Sequence, residues 1–224
     1  MVIDVKAAQR QLNRLGFGPL VVDGIAGMRT AAAVSAYQRS IGLPATGRLD
    51  ARTMSALMAP APESDIPWLA EALAVLGLHE ERDRSRLRAW FDRSVAWIDP
   101  REVPWCGAFV ATCLRKWRPD IVLPDNPLAA KSWARFGVAC QPQLGAIITL
   151  HRGAPSDFRG HVFFYLGETA TEFYGVGGNQ SNAVTRAWFA KSRLHSSRAP
   201  AGFQMPGKVI RLARSGEPLS VNEA

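Results

Sequence analysis

The chain has 224 residues, room for one large domain or two small ones, and its 47% hydrophobic and 21% charged residues exclude wholesale disorder. No apolar run approaches the roughly 18 residues that span a membrane, and Asp4, Lys6 and Arg10 break up the first stretch, so no ordinary signal peptide is expected. The net charge of +8 favours polyanionic partners, but no Lys/Arg block marks a nucleic-acid arm: residues 1–58 carry seven basic against three acidic side chains, and residues 59–203 seventeen against fourteen.

In chain order, Val5, Ala8, Leu12 and Leu15 recur at helical steps and Gly16 stops the run. Val21-Val22-Asp23-Gly24 reads as a short extended piece and a turn. A second amphipathic helix is predicted from about Met28 to Ile41, ended by Gly42 and kept from resuming by Pro44. Asp50 suits the N-cap of a third helix through Leu57 and Met58. Three such helices make a small domain over residues 1–58. Ala59-Pro60-Ala61-Pro62-Glu63-Ser64 is an extended spacer, and a linker is set at 59–65.

The second domain is set at 66–203. It opens with helices at Trp68–Leu76, Arg84–Trp97, Trp105–Trp117 and Leu128–Phe136. Short β-favouring runs follow at 146–150, 161–166 and 171–174, with further strands at 184–188 and 194–198. Helices followed by neighbouring strands predict an α+β fold with an antiparallel sheet. Residues 204–224 read as a loosely held tail.

Three cysteines without a Cys-x-x-Cys pair argue against a zinc ribbon, a thioredoxin-type motif or a disulfide framework. Pro104-Trp105-Cys106-Gly107 puts Cys106 at a helix start, where negative charge is stabilised and a thiolate favoured. Gly107 permits close approach of another segment. Cys113 reads as core and Cys140 as isolated. A thiol nucleophile needs a base. His161, opening an apolar strand after Gly160, is the best placed and His151 the runner-up. His79 and His195 read as exposed. The imidazole needs an orienting group. Asn179, in the polar stretch Gly177–Asn182 read as a loop after the third strand, suits that role; Glu172, Glu168 and Gln180 could also fill it.

Residues 4–57 resemble the type 1 peptidoglycan-binding domain. The resemblance lies in Gln9-x-x-Leu12-Asn13-x-Leu15-Gly16-Phe17, Val22-Asp23-Gly24-x-x-Gly27-x-x-Thr30, Ala33-Val34-x-x-Tyr37-Gln38, Gly42-Leu43-x-x-Thr46-Gly47-x-Leu49-Asp50 and Thr53. Residues 67–200 resemble cysteine hydrolases of the NlpC-like and CHAP superfamily. The matching motifs are Val103-Pro104-Trp105-Cys106-x-x-Phe109-Val110, Gly160-His161-Val162-x-Phe164-Tyr165-x-Gly167-Glu168 and Gly177-Gly178-Asn179-Gln180-Ser181-Asn182, with Pro67-Trp68 and Leu76-Gly77…Glu80.

These resemblances imply a papain-like catalytic domain with Cys106, His161 and Asn179 as catalytic residues. They imply peptidoglycan as partner, no metal or organic cofactor, and a monomer. The activity implied is cleavage of a stem-peptide amide bond, by an endopeptidase or an N-acetylmuramoyl-L-alanine amidase. Without a signal peptide, a phage or prophage endolysin is expected, made in the cytoplasm and acting on the wall after release or export. Two competing readings are a secreted antibacterial effector with an immunity partner and a non-catalytic wall-binding or phage structural protein.

Overall fold

A computed structural model describes residues 3–15, 17–41, 43–58, 66–154 and 156–212. The expected linker at 59–65, the helix stops at Gly16 and Gly42, and residues 213–224 of the expected tail lie outside the described residues. The chain divides into two compact units; among the described residues, 3–58 with 210–212 form one and 66–209 the other.

The first unit contains α1 (Val5–Arg14), α2 (Met28–Ser40) and α3 (Ala51–Met58). Ala8, Leu12, Phe17, Val34, Tyr37 and Leu57 form its core, against which Leu212 packs. Asp4 caps α1 through the Ala7 N–H, and Asp50 caps α3 through the Thr53 N–H at 2.7 Å, as its position predicts. Two buried glutamines hold the turns. Gln9 donates to Thr30 Oγ1 and Ile25 O and accepts from the Gly24 N–H. Gln38 does the same for the later turn, donating to Thr53 Oγ1 and Arg48 O and accepting from the Gly47 N–H. In both turns the threonine follows the glycine by six residues. A buried amide left unpaired would cost about 1–3 kcal/mol, so these motif positions specify the fold. Residues 21–24 form no strand.

The second unit is α+β. Helices α4 (Pro67–Ala74), α5 (Arg84–Trp90) and α6 (Cys106–Trp117) precede a six-stranded sheet. Its strands are β1 (Val138–Ala139), β2 (Ile147–His151), β3 (Gly160–Glu168), β4 (Glu172–Gln180), β5 (Ala183–Ala190) and β6 (Leu194–Ala199). Their order is β1-β6-β2-β3-β4-β5, and every pairing is antiparallel. Helix α6 packs on one face, with Phe109 and Phe164 ring centroids 6.0 Å apart. The other face carries Ile148, Leu150, Phe163, Tyr165 and Phe189. Both faces are covered, which explains why His161–Leu166 reads as a continuous apolar run rather than an alternating one.

Four sequence expectations are corrected. The helix predicted to Trp97 ends at Trp90, where the Asp92 N–H turns to Thr112 Oγ1 and Asp92 itself accepts from Ser94. The stretch expected to be helical at Leu128–Phe136 is a 3-10 helix at Ala130–Arg135. Gly177–Gln180, read as loop, continues β4. Residues 204–212 are not loose: Leu144 N–H donates to Lys208 O, Gly207 N–H to Gln143 Oε1, and Met205 packs against the sheet.

Candidate active site

Cys106 is the first residue of α6, with Trp105 at the N-cap. Two features bring this helix start onto the sheet. Gly178 lies so close to it that a Cβ there would sit 2.4 Å from Trp105 and 2.6 Å from Phe109. Gly107 lies under the Pro127 and Leu128 carbonyls, and a Cβ would fall 2.1 Å from Pro127 O. The close approach read for Gly107 from the sequence is therefore made by the 127–128 segment.

Trp105 is fully buried, and its indole N–H donates to Glu80 Oε2 at 2.8 Å. The Glu80 N–H donates to Asn182 O, and His79 bridges Ala183, so the 77–80 segment is stitched to the edge of β5. Glu80 thus joins the helix start to the β4–β5 turn. In the sequence this glutamate falls within a motif but shows no role of its own. A carboxylate beside His79-Glu80-Glu81-Arg82 looks solvated until its Trp partner is known.

The His161 side chain acts on the Cys106 thiol. Burial pushes the Cys106 thiol up. The His161 ring and its charge, with the Val162 and Gly107 backbone N–H groups, more than offset this, and the thiol titrates below its ordinary value. Cys113 has only burial and the Glu71 charge acting strongly on it, and its thiol is pushed well above the ordinary value. Cys140 lies near Ser197 Oγ at 3.6 Å, away from this pair.

His161 is fully buried, its ring flanked by Phe163 and Phe189. Its Nε2 lies 3.1 Å from Gln180 Oε1. The Gln180 amide has one allowed orientation: its Nε2 donates to Thr185 O at 2.7 Å, an acceptor-only group. Oε1 must then face the ring as acceptor, so His161 Nε2 carries the proton. Nδ1 is then the unprotonated ring nitrogen.

The structure thus places Gln180 at the imidazole nitrogen, the contact that the sequence reading gave to Asn179. A β-bulge is the reason. Continued unbroken, the Phe164↔Val176 register of β3 and β4 would set Asn179 opposite His161. Between the pairs Gly177↔Thr185 and Gln180↔Ala183, however, three steps along β4 match two along β5. The extra residue shifts the register by one and brings Gln180 round to the ring. Asn179 takes the left-handed conformation, φ 58°, and is buried. Neither glutamate takes the role. Glu168 pairs with Lys191 at 2.9 Å, and Glu172 stands at the far end of β4. The runner-up base His151 lies against His195, ring centroids 4.6 Å apart, rather than against Cys106. His79 is half-buried, not free in solvent. Among the described residues, no group of three or more His, Cys, Asp or Glu is arranged to hold a metal ion.

Residues 3–57 match the family model of the putative peptidoglycan binding domain. That match supports peptidoglycan as a partner of the first unit. No curated protein and no solved structure matches the chain. No helix is long and apolar enough to cross a membrane among the described residues.

Proposed function

We propose that the chain is a modular peptidoglycan hydrolase. Its second unit cleaves an amide bond of the wall stem peptide by a thiol mechanism, and its first unit holds it on the polymer. The observation that carries the reading is a cysteine that opens a helix together with a buried imidazole whose tautomer Gln180 selects and which acts on the thiol. The papain-like reading of residues 66–203 rests on the same arrangement, a nucleophile opening a helix against a histidine on an antiparallel strand.

In this reading His161 Nδ1 takes the Cys106 proton and the sulfur attacks the amide carbon. The oxyanion forms near the Cys106 backbone N–H at the start of α6. The imidazolium, held by Gln180, returns the proton to the leaving amine. Water, activated by the same nitrogen, then hydrolyses the thioester and frees the thiol. The setting we read for this activity is a phage or prophage endolysin acting on the wall. Attachment through the first unit raises the local concentration of enzyme on an insoluble polymer.

The test is digestion of purified peptidoglycan with the full chain and with Cys106→Ala, reading new ends by mass spectrometry. New amine and carboxyl ends in the stem with the wild type, and none with the variant, are expected. No new ends with the wild type would refute the reading.

A further inference from the structure

A groove of about 1040 Å³ opens on the second unit, lined by the 118–137 segment with Phe158, His195 and Ala201. That is at the upper end of ligand-pocket sizes and suits a short peptide. One segment serves both groove and pair. The Pro127 and Leu128 carbonyls press on Gly107, next to Cys106, and Ala130 and Lys131 press on Gly160, next to His161. The same segment then lines the groove with Ala129, Lys131 and Arg135.

The groove is cationic and greasy at once. Among the described lining residues are Arg118, Lys131 and Arg135 and one acid, Asp125; Lys131 donates to Asp157 O. His195, also on its wall, titrates below its ordinary value because of partial burial and its neighbours His151 and Lys131. The Arg118 guanidinium lies over the Trp117 ring at 4.3 Å and donates to Ala201 O at 3.5 Å. Among the described residues no carboxylate is ion-paired with Arg118 or Arg135. Some other guanidinium groups of this unit are held by carboxylates, as Arg84 and Arg101 are by Asp99 and Arg159 by Asp157. The two most exposed large hydrophobic side chains of the unit, Phe158 at 86% and Val122 at 84%, line this groove as well. Apolar surface left bare in a concavity, beside guanidinium groups that no carboxylate pairs, suits a ligand carrying both carboxylates and small apolar groups.

We propose that this groove binds the acidic stem peptide of the wall polymer, its carboxylates on Arg135 and Arg118 and its alanine methyl groups against Val122 and Phe158. The proposal rests on the hydrolase reading above and names the substrate feature that reading lacks. Bidentate guanidinium–carboxylate contacts would set which residues of the stem flank the sulfur, so the groove determines which bond is cut.

The test compares the full-length protein with Arg135→Glu, Arg135→Gln and Arg118→Glu. The substrates are soluble disaccharide–peptides with free stem carboxylates and the same compounds amidated. Arg135→Glu is expected to raise KM on the free-acid compound about tenfold or more while kcat holds, since hydrogen bonds to charged groups are of that strength. Arg135→Gln should fall between, and wild type should lose on amidation what the variant loses by substitution. Cleavage by all proteins with equal KM, or with the same loss on the amidated compound, overturns the groove and leaves the hydrolase reading intact. Where the wild type cleaves nothing, that reading fails. Titration of the free-acid compound into full-length Cys106→Ser with and without Arg135→Glu then decides the groove: binding weakened by the charge reversal supports it, and binding unaffected or absent overturns it.

Discussion

Cys106 and Cys113 lie about two turns apart on α6, yet their thiols titrate in opposite directions, because the imidazole and two backbone donors act on Cys106 whereas burial dominates at Cys113. Iodoacetamide should therefore alkylate Cys106 first, with a rate–pH midpoint below that of an ordinary thiol. His161→Ala removes the two largest opposing contributions and leaves burial, so the midpoint should move up, and wall lysis should vanish. Cys113→Ala should retain most activity. The orienting contact predicts a second contrast. Gln180→Ala frees the ring to adopt the wrong tautomer and should lower kcat by about 10², toward the low end of what acid–base catalysis supplies. Asn179→Gly keeps both the positive φ and the bulge and should leave kcat near wild type. Equal losses in the two variants would return the orienting role to Asn179.

At the scale of elements, the helix start is held by glycine contacts and one buried carboxylate. Gly178→Ala drives a methyl group into Trp105 and Phe109, an overpacking that typically costs about 1–3 kcal/mol. Urea denaturation should show that loss, and Cys106 alkylation should lose its lowered midpoint as α6 is pushed off β4. Glu80→Ala leaves the Trp105 indole buried without its acceptor, for about 1–3 kcal/mol, whereas Glu80→Gln keeps an acceptor and should cost less. Acid sensitivity has a local origin at the start of α5. The Arg84 and Arg101 guanidinium groups hold the Asp99 carboxyl well below its ordinary value. A depressed carboxyl stabilises the fold above the ordinary carboxylate pKa and loses that contribution as pH falls through the lowered one. Thermal melts should show Arg84→Ala destabilised at pH 7 and the gap to wild type closing toward pH 2.

For the whole molecule, the separation into two units predicts separable tasks. Insoluble peptidoglycan should retain the full chain better than a chain lacking residues 1–60, while the shorter chain still cleaves soluble disaccharide–peptides. Equal retention would remove the targeting role. Leu212 packs against the first unit's core, so that unit made alone should be more stable with residues 210–212 supplied than without them. A denaturation midpoint unmoved by their addition would make the Leu212 contact idle.

Local patterning determined a good part of this protein. The three helices of the first unit, the cap at Asp50 and the place of Cys106 at a helix start follow from periodicity and capping chemistry, which act within a few residues. The α+β class of the second unit follows from the order of its helical and strand-forming runs. What only the tertiary structure decided are matters of register and long-range contact. The bulge at Gly178–Asn179 is invisible in a run of small polar residues, because a one-residue slip changes no local preference yet exchanges Asn179 for Gln180 at the imidazole. Glu80 reads as surface because its partner, Trp105, lies 25 residues away. The cationic groove is likewise gathered from the 118–137 segment, Phe158 and His195, residues that only the folded chain brings to one concavity.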